Sequence, residues 1–342
     1  MIEDTAVQAK EETAAESLST RRSSSCSSSS GSGGGGDVEL GGEVVGWSSY
    51  DDDAEQRLLW ETKIVVRICL FEGDNGSIDQ VSDVYVSVSR HEYLYQTVFE
   101  KVIPLWRHVL PSSASRTPWL EYGMLPLKWD LPCGVLHDLH CGNDDGCSSN
   151  SIWTVVAHFS NFPSTILPPF DVKESLRNHV FHSMKEASHV RMGSASRIMN
   201  MSHAAQDALW HAIRQGSYDE YAKVYGTLGF ESHDGILAAV ERVPVRIIVC
   251  RGAALTMNSS YEDVYISSRS MNDGSVKDCV YDIARAWMMM KKNKTIAEKN
   301  EESGMTGVQI QVGGIGMHGT EPLSYLWRTM HAPDGFLYIY VH

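Results

Sequence analysis

The chain has 342 residues, 42% of them hydrophobic, with 43 acidic against 29 basic side chains and a formal net charge of −14. That length holds two or three domains with a sizeable core, and an acidic balance without a basic stripe argues against phosphate-driven nucleic-acid binding as the main role. No run approaches the roughly 18 apolar residues of a membrane span, Glu3 and Asp4 stand where a secretory signal has a basic start, and seven scattered cysteines suit reduced thiols, so a cytoplasmic protein is expected.

Residues 1–59 hold twelve acidic and four basic side chains around "RRSSSCSSSSGSGGGG". So little apolar surface does not offset the entropy of ordering, and a disordered Ser/Gly-rich acidic tail is expected.

From residue 60 the chain repeats itself. "KIVVRICLFEG" (63–73) resembles "RVPVRIIVCRG" (242–252), and "DVYVSVS" (83–89) resembles "DVYISSR" (263–269), at offsets of 179 and 180. Val102 and Trp106 then match Ile283 and Trp287 at an offset of 181. Three blocks in the same order at nearly constant offset are an internal duplication. The first block is β-branched and the second alternates with period two, which gives a hairpin across turn formers. Val98, Val102, Leu105 and Val109 follow at helical spacing. "PWLEYGMLPLKW" and its counterpart "VQIQVGGIGMHGTEPLSYLW" come next, and each unit closes on a strand, "IWTVVAHFS" (152–160) or "FLYIYVH" (336–342). This β-β-α-β-β order suits a sheet crossed by one helix, as in the β-grasp fold.

Between the units, Asp171 and Glu174 have capping-box spacing after Pro168-Pro169 and start a helix. Ala205, Ala208, Leu209, Ala212 and Ile213 form the buried stripe of a second, and Ser217 and Glu220 open a third that Gly229 can end. The expected organisation is α+β: a tail (1–59), a first β-grasp unit (60–165), a helix-rich domain (166–240) and a second β-grasp unit (241–342).

Three groups invite a chemical reading. Gly314-x-Gly316-x-x-Gly319 has the form of a dinucleotide fingerprint, but Glu321-Pro322 follows where a long helix is required, so a turn is expected and no cofactor. Cys133, His137, His140, Cys141 and Cys147 gather donors without paired Cys-x-x-Cys spacing, and a loop of incidental thiols and histidines is favoured over metal. His179 and His182 lie on a capped amphipathic helix and read as surface residues. No Gly-x-Ser-x-Gly elbow is present, so no catalytic residue is expected.

The phrases "GMLPLKWDLPCGVLHDLH" (123–140), "WTVVAHFSNFP" (153–163), "SLRNHVFHSMKEASHV" (175–190), "LWHAIRQGSYDEY" (209–221) and "PLSYLWRTMHAPDGFLYIYV" (322–341) together resemble the autophagy protein 5 family. The resemblance implies two ubiquitin-like domains flanking a helix-rich domain. It also implies a non-catalytic acceptor: a lysine in the family's Met-Lys-Glu-Ala phrase, here Lys185, takes the terminal glycine of autophagy protein 12 in an isopeptide bond. Further implied partners are the N-terminal helix of autophagy protein 16 and, indirectly, the E2 enzyme and autophagy protein 8. The complex is then E3-like, promoting lipidation of autophagy protein 8 from the cytoplasm while transiently on the forming autophagosomal membrane. The alternative is a duplicated β-grasp adaptor that binds its partners only non-covalently. A ubiquitin-like donor needs a flexible tail ending in glycine, and "FLYIYVH" reads as a strand, so an acceptor is expected and not a donor.

Overall fold

A computed structural model describes residues 52–76, 81–111, 118–141, 152–229, 242–250, 264–272, 274–281 and 309–341, all within one compact unit, Ser49–His342. Helix α1 (Asp52–Glu61) leads into β1 (Lys63–Leu70) and β2 (Val84–Ser89). Helix α2 (Leu94–Thr97) runs through a π-helical turn, Val98–Val102, into α3 (Ile103–Trp106). Then come β3 (Trp119–Tyr122), β4 (Leu125–Pro126), α4 (Cys133–Cys141) and β5 (Trp153–His158).

The helical region contains α5 (Glu174–Met192), α6 (Ser196–Met199), α7 (His203–Gln215) and α8 (Tyr218–Gly226). The second sheet is built from β6 (Arg242–Cys250), β7 (Val264–Asn272), β8 (Ile310–Val312), β9 (Ile315–Met317) and β10 (Leu337–Val341), with α9 (Leu323–Met330) before its last strand.

Both sheets have five strands in the same order, β2-β1-β5-β3-β4 and β7-β6-β10-β8-β9. In each, the first and last strands of the unit lie side by side and parallel, Val66 opposite Trp153 and Ile339 opposite Ile247. The β3–β4 and β8–β9 turns also match, with positive φ at Gly123 and Met124 (57° and 67°) and at Gly313 and Gly314 (58° and 79°). Two consecutive left-handed residues are what a two-residue hairpin turn needs. The Gly314–Gly319 sequence is therefore a turn and hairpin rather than the entry to a long helix.

The two sheets differ in what covers them. In β1 the core face is Ile64, Val66 and Ile68, whereas Val65 on the other face is 46% exposed. In β6, Val243, Val245 and Ile247 enter the second unit's own core, while Ile248 joins the core of the first unit. Strand β10, with Phe336 just before it, divides in the same way: Leu337, Ile339 and Val341 face the second core, and Phe336, Tyr338 and Tyr340 the first. Alternation of period two sends neighbouring residues to opposite faces, so one strand serves two cores. The Tyr340 hydroxyl donates to the Val135 carbonyl at 2.7 Å and fixes the join.

Four sequence expectations are corrected. The expected tail reached residue 59, but residues 52–61 are helical; the rest of it lies outside the described residues. A helix of ten residues is marginal alone. Its stability comes from distant partners: Trp60 is fully buried against Tyr221, Arg328 pairs with Asp52 at 2.7 Å, and Gln56 bonds His331 at 3.1 Å. Next, Leu105 is 55% exposed and Trp106 takes the core position, because the helix passes through the π turn before it.

The reading of 133–141 as a loop is replaced by α4, whose Leu136 and Leu139 are buried. In α7, Leu209, Ala212 and Ile213 are buried as expected, but Ala208 is exposed and Trp210 takes a place in the core. Ile283 and Trp287 of the repeat lie outside the described residues.

Candidate functional site

The sequence singles out α5. Asp171 Oδ1 accepts from the Lys173 and Glu174 amides at 2.9 and 3.0 Å, satisfying donors that a helix start leaves open. The reciprocal bond runs from the Asp171 amide to Ser175 Oγ at 3.0 Å, so Ser175 and not Glu174 completes the cap. Nineteen residues later in helical length, Gly193 in the left-handed conformation closes the helix with its amide on the His189 carbonyl.

Leu176, Val180, Met184 and Ala187 recur at helical spacing and form one apolar stripe, all of it buried. The buried arc is wider than four residues, because Phe181, Ser183 and Ser188 are buried with them. Gly335 shows how closely the second unit approaches: its φ is +87°, and an added Cβ would lie 2.9 Å from the Ala187 methyl.

Lys185 stands on the other side. At about 100° per residue, Asn178, His182, Lys185 and His189 share one face. Asn178, His182 and His189 are exposed and Lys185 is half-buried at the edge. Among the described residues Lys185 has no hydrogen-bond or ion-pair partner. By contrast, Lys173 lies 5.4 Å over the Phe99 ring and Lys63 is 3.5 Å from Glu92. The structure thus presents an uncommitted primary amine on a helix whose opposite face is pinned. His182 is a surface residue as expected, whereas His179 is half-buried edge-on to Trp129, and burial lowers its pKa.

The other singled-out donors have packing roles. His140 is buried edge-on to Tyr122, and burial lowers its pKa to about 3. Cys133 and Cys141 are buried at opposite ends of α4, His137 lies perpendicular to Trp153, and Cys147 is outside the described residues. Among the described residues no three His, Cys, Asp or Glu side chains are placed to hold a metal ion. A cleft of about 740 Å³ opens between the π turn, α5 and α7, and both of its arginines are engaged with its carboxylates. Arg177 pairs with Asp207 at 2.6 Å and Arg214 with Glu100.

One feature beside Lys185 escaped sequence reasoning. Arg246, buried in β6, reaches Ser183 on α5 at 3.0 Å. Burial alone would lower its pKa, and Tyr338 and Asp334 more than offset that and hold it up. Its only sequence signal is a charge inside "RVPVRIIVC", a strand otherwise buried along most of its length.

Residues 59–159 match the model of the autophagy protein ATG5 UblA domain, and residues 173–229 that of the ATG5 alpha-helical bundle region. Both matches support the autophagy protein 5 family for this chain. Autophagy protein 5 of Oryza sativa subsp. indica is 40% identical over 108 residues, 32% of this chain and 27% of the relative. Autophagy protein 5 of Arabidopsis thaliana is 30% identical over 168 residues, 49% and 48% of the two chains. These matches thus span from about a quarter to about half of the relatives' length. The crystal structure of Kluyveromyces marxianus Atg5 shares the fold, with a TM-score of 0.60, 20% identity and coverage of 85% of this chain and 100% of that one. Similarity to the autophagy protein 5 family supports a role in autophagy.

Proposed function

We propose that this chain is a covalent acceptor: Lys185 takes the C-terminal glycine of the ubiquitin-like autophagy protein 12 in an isopeptide bond. The observation that carries the reading is the uncommitted Lys185 amine at the edge of the solvent face of α5, within the Met-Lys-Glu-Ala phrase. In the transfer, the neutral Nζ attacks the carbonyl carbon of an E2-bound thioester. The C–N bond forms, the C–S bond breaks, the E2 cysteine leaves as thiolate, and the protons of the former ammonium pass to solvent or the E2. The chain supplies amine and scaffold, and activation of the acyl group belongs to the E1 and E2 enzymes.

The matching strand orders support two ubiquitin-like β-grasp domains on either side of the helical region. On this reading the conjugate joins the N-terminal helix of autophagy protein 16. The resulting E3-like complex promotes lipidation of autophagy protein 8 while working from the cytoplasm, peripherally on the forming autophagosomal membrane. Among the described residues no helix is long and apolar enough to cross a membrane.

Cell lysates on a denaturing gel test the acceptor role. A species heavier by one ubiquitin-like protein is expected for the native chain and absent for Lys185→Arg. A heavy band that persists in the variant assigns the acceptor to another lysine. No heavy band in either favours a non-covalent adaptor, the reading that the duplicated sheets alone support.

A further inference from the structure

Arg246 is only 8% exposed and gathers groups from two distant parts of the chain. Its Nη1 donates to Asp334 Oδ2 at 2.9 Å and to the Tyr338 hydroxyl at 2.8 Å, and that hydroxyl donates to Asp334 at 2.8 Å. Its Nη2 donates to Ser183 Oγ at 3.0 Å and lies 3.6 Å from Glu186 Oε2. The guanidinium carbon sits 4.1 Å from the centre of the Phe336 ring.

Asp334 and Tyr338 belong to the second unit, while Ser183 and Glu186 are on α5, one on each side of Lys185 in sequence. An apolar contact of equal volume would hold these elements together equally well, and replacing buried ion pairs by apolar packing is often neutral or stabilising. What a planar guanidinium adds is direction, since its donors leave in a fixed fork and set angle and register together.

We infer that Arg246 is a positioning residue for Lys185: by holding Ser183 and Glu186 it sets the rotation of α5 on the second sheet, and with it the direction in which the amine is presented. This rests on the acceptor reading of Lys185. A slip of one residue in the contact would swing the lysine by about 100°, from the rim towards the core or away from an approaching thioester.

Two measurements on the full chain separate positioning from acceptance. Backbone amide exchange reports how firmly α5 is held. Over residues 183–189 it is expected to be about tenfold faster in Arg246→Met and a few-fold faster in Ser183→Ala, with α7 unchanged. In single-turnover transfer from a charged E2, the maximal rate should fall by about tenfold in Arg246→Met, while the half-saturating E2 concentration stays constant. Arg246→Lys, which keeps the charge without the fork, should give an intermediate rate.

Ser183→Ala leaves the Arg246–Asp334–Tyr338 cluster intact, so it decides the matter if the arginine variants fail to fold. Wild-type exchange over 183–189 in Ser183→Ala, or faster exchange with an unchanged transfer rate, overturns the inference. If the native chain forms no product, the acceptor reading fails and the presentation of an acceptor amine fails with it. The exchange data would then report only a structural brace.

Discussion

Arg67 and Arg246 occupy the same position of the duplicated strand, yet Arg67 Nε donates to Asp83 at 2.8 Å in a part-exposed pair while Arg246 is buried between its sheet and α5. One inherited residue has become a solvated charge in one copy and an internal brace in the other. The difference follows from the covering of the two sheets.

Their energetic weights should therefore diverge. Asp334→Asn removes the buried anion of the Arg246 guanidinium and leaves it only the more distant, exposed Glu186, and is expected to cost about 3–5 kcal/mol. The equivalent loss at the surface, Asp83→Asn, should cost less than about 1 kcal/mol. Urea unfolding of both variants checks this, and equal midpoints would refute it.

Acid should destabilise the protein from an unusually high pH. Burial pushes the pKa of His331 down to about 4, that of His140 to about 3 and that of His91 well below the ordinary histidine value, the last with help from neighbouring His331. Each folded pKa lies below its unfolded counterpart, so the unfolded chain binds protons that the folded chain refuses. Stability is then complete above about pH 6.5 and falls below it, by up to about 1.4 kcal/mol per pH unit for each histidine, until its folded pKa is reached. Denaturant midpoints measured at pH 7 and pH 5 should separate clearly, and His331→Phe should flatten the slope by about one proton. A midpoint that does not move between those pH values would contradict the burial.

Trp60 tests the anchoring of α1. It is completely buried in the helical region's core, with Tyr221 4.5 Å and Tyr218 6.0 Å away between ring centres. Trp60→Ala is expected to cost about 3–5 kcal/mol, although the residue precedes the first strand. A thermal melt within a degree of wild type would show that the helix is dispensable.

The β3–β4 turn carries a correctable defect. Met124 has φ of 67° and is 68% exposed, where the second copy uses Gly314. A left-handed L-residue costs about 1–2 kcal/mol, partly offset by the greater unfolded-state entropy of glycine. Met124→Gly should raise stability by roughly 0.5 kcal/mol, read from equilibrium unfolding. A loss of stability would mean that the methionine side chain has a packing role.

Much of this organisation was legible in the sequence. The duplication showed because β-strand alternation leaves a repeated pattern, and the same strand order appears in both sheets. The stripe of Leu176, Val180, Met184 and Ala187 was readable because a helix buried on one side repeats at fixed spacing. What could not be read depends on distant residues or on local irregularity. Helix α1 looks like acidic tail until Arg328 and His331 are brought to it. The π turn exchanges Leu105 for Trp106 without a pattern that spacing rules detect. At the candidate site, Lys185 was found through its phrase, whereas Arg246 was missed because an arginine within a strand does not declare which face is covered.

Strand β10 is a wall shared by two rooms: its alternate residues complete the cores of both sheets. A nonsense mutation just before Phe336 would thus remove more than the central strand of the later copy. It would take Phe336, Tyr338 and Tyr340 out of the earlier one as well, so a very late truncation should behave genetically like loss of the whole protein.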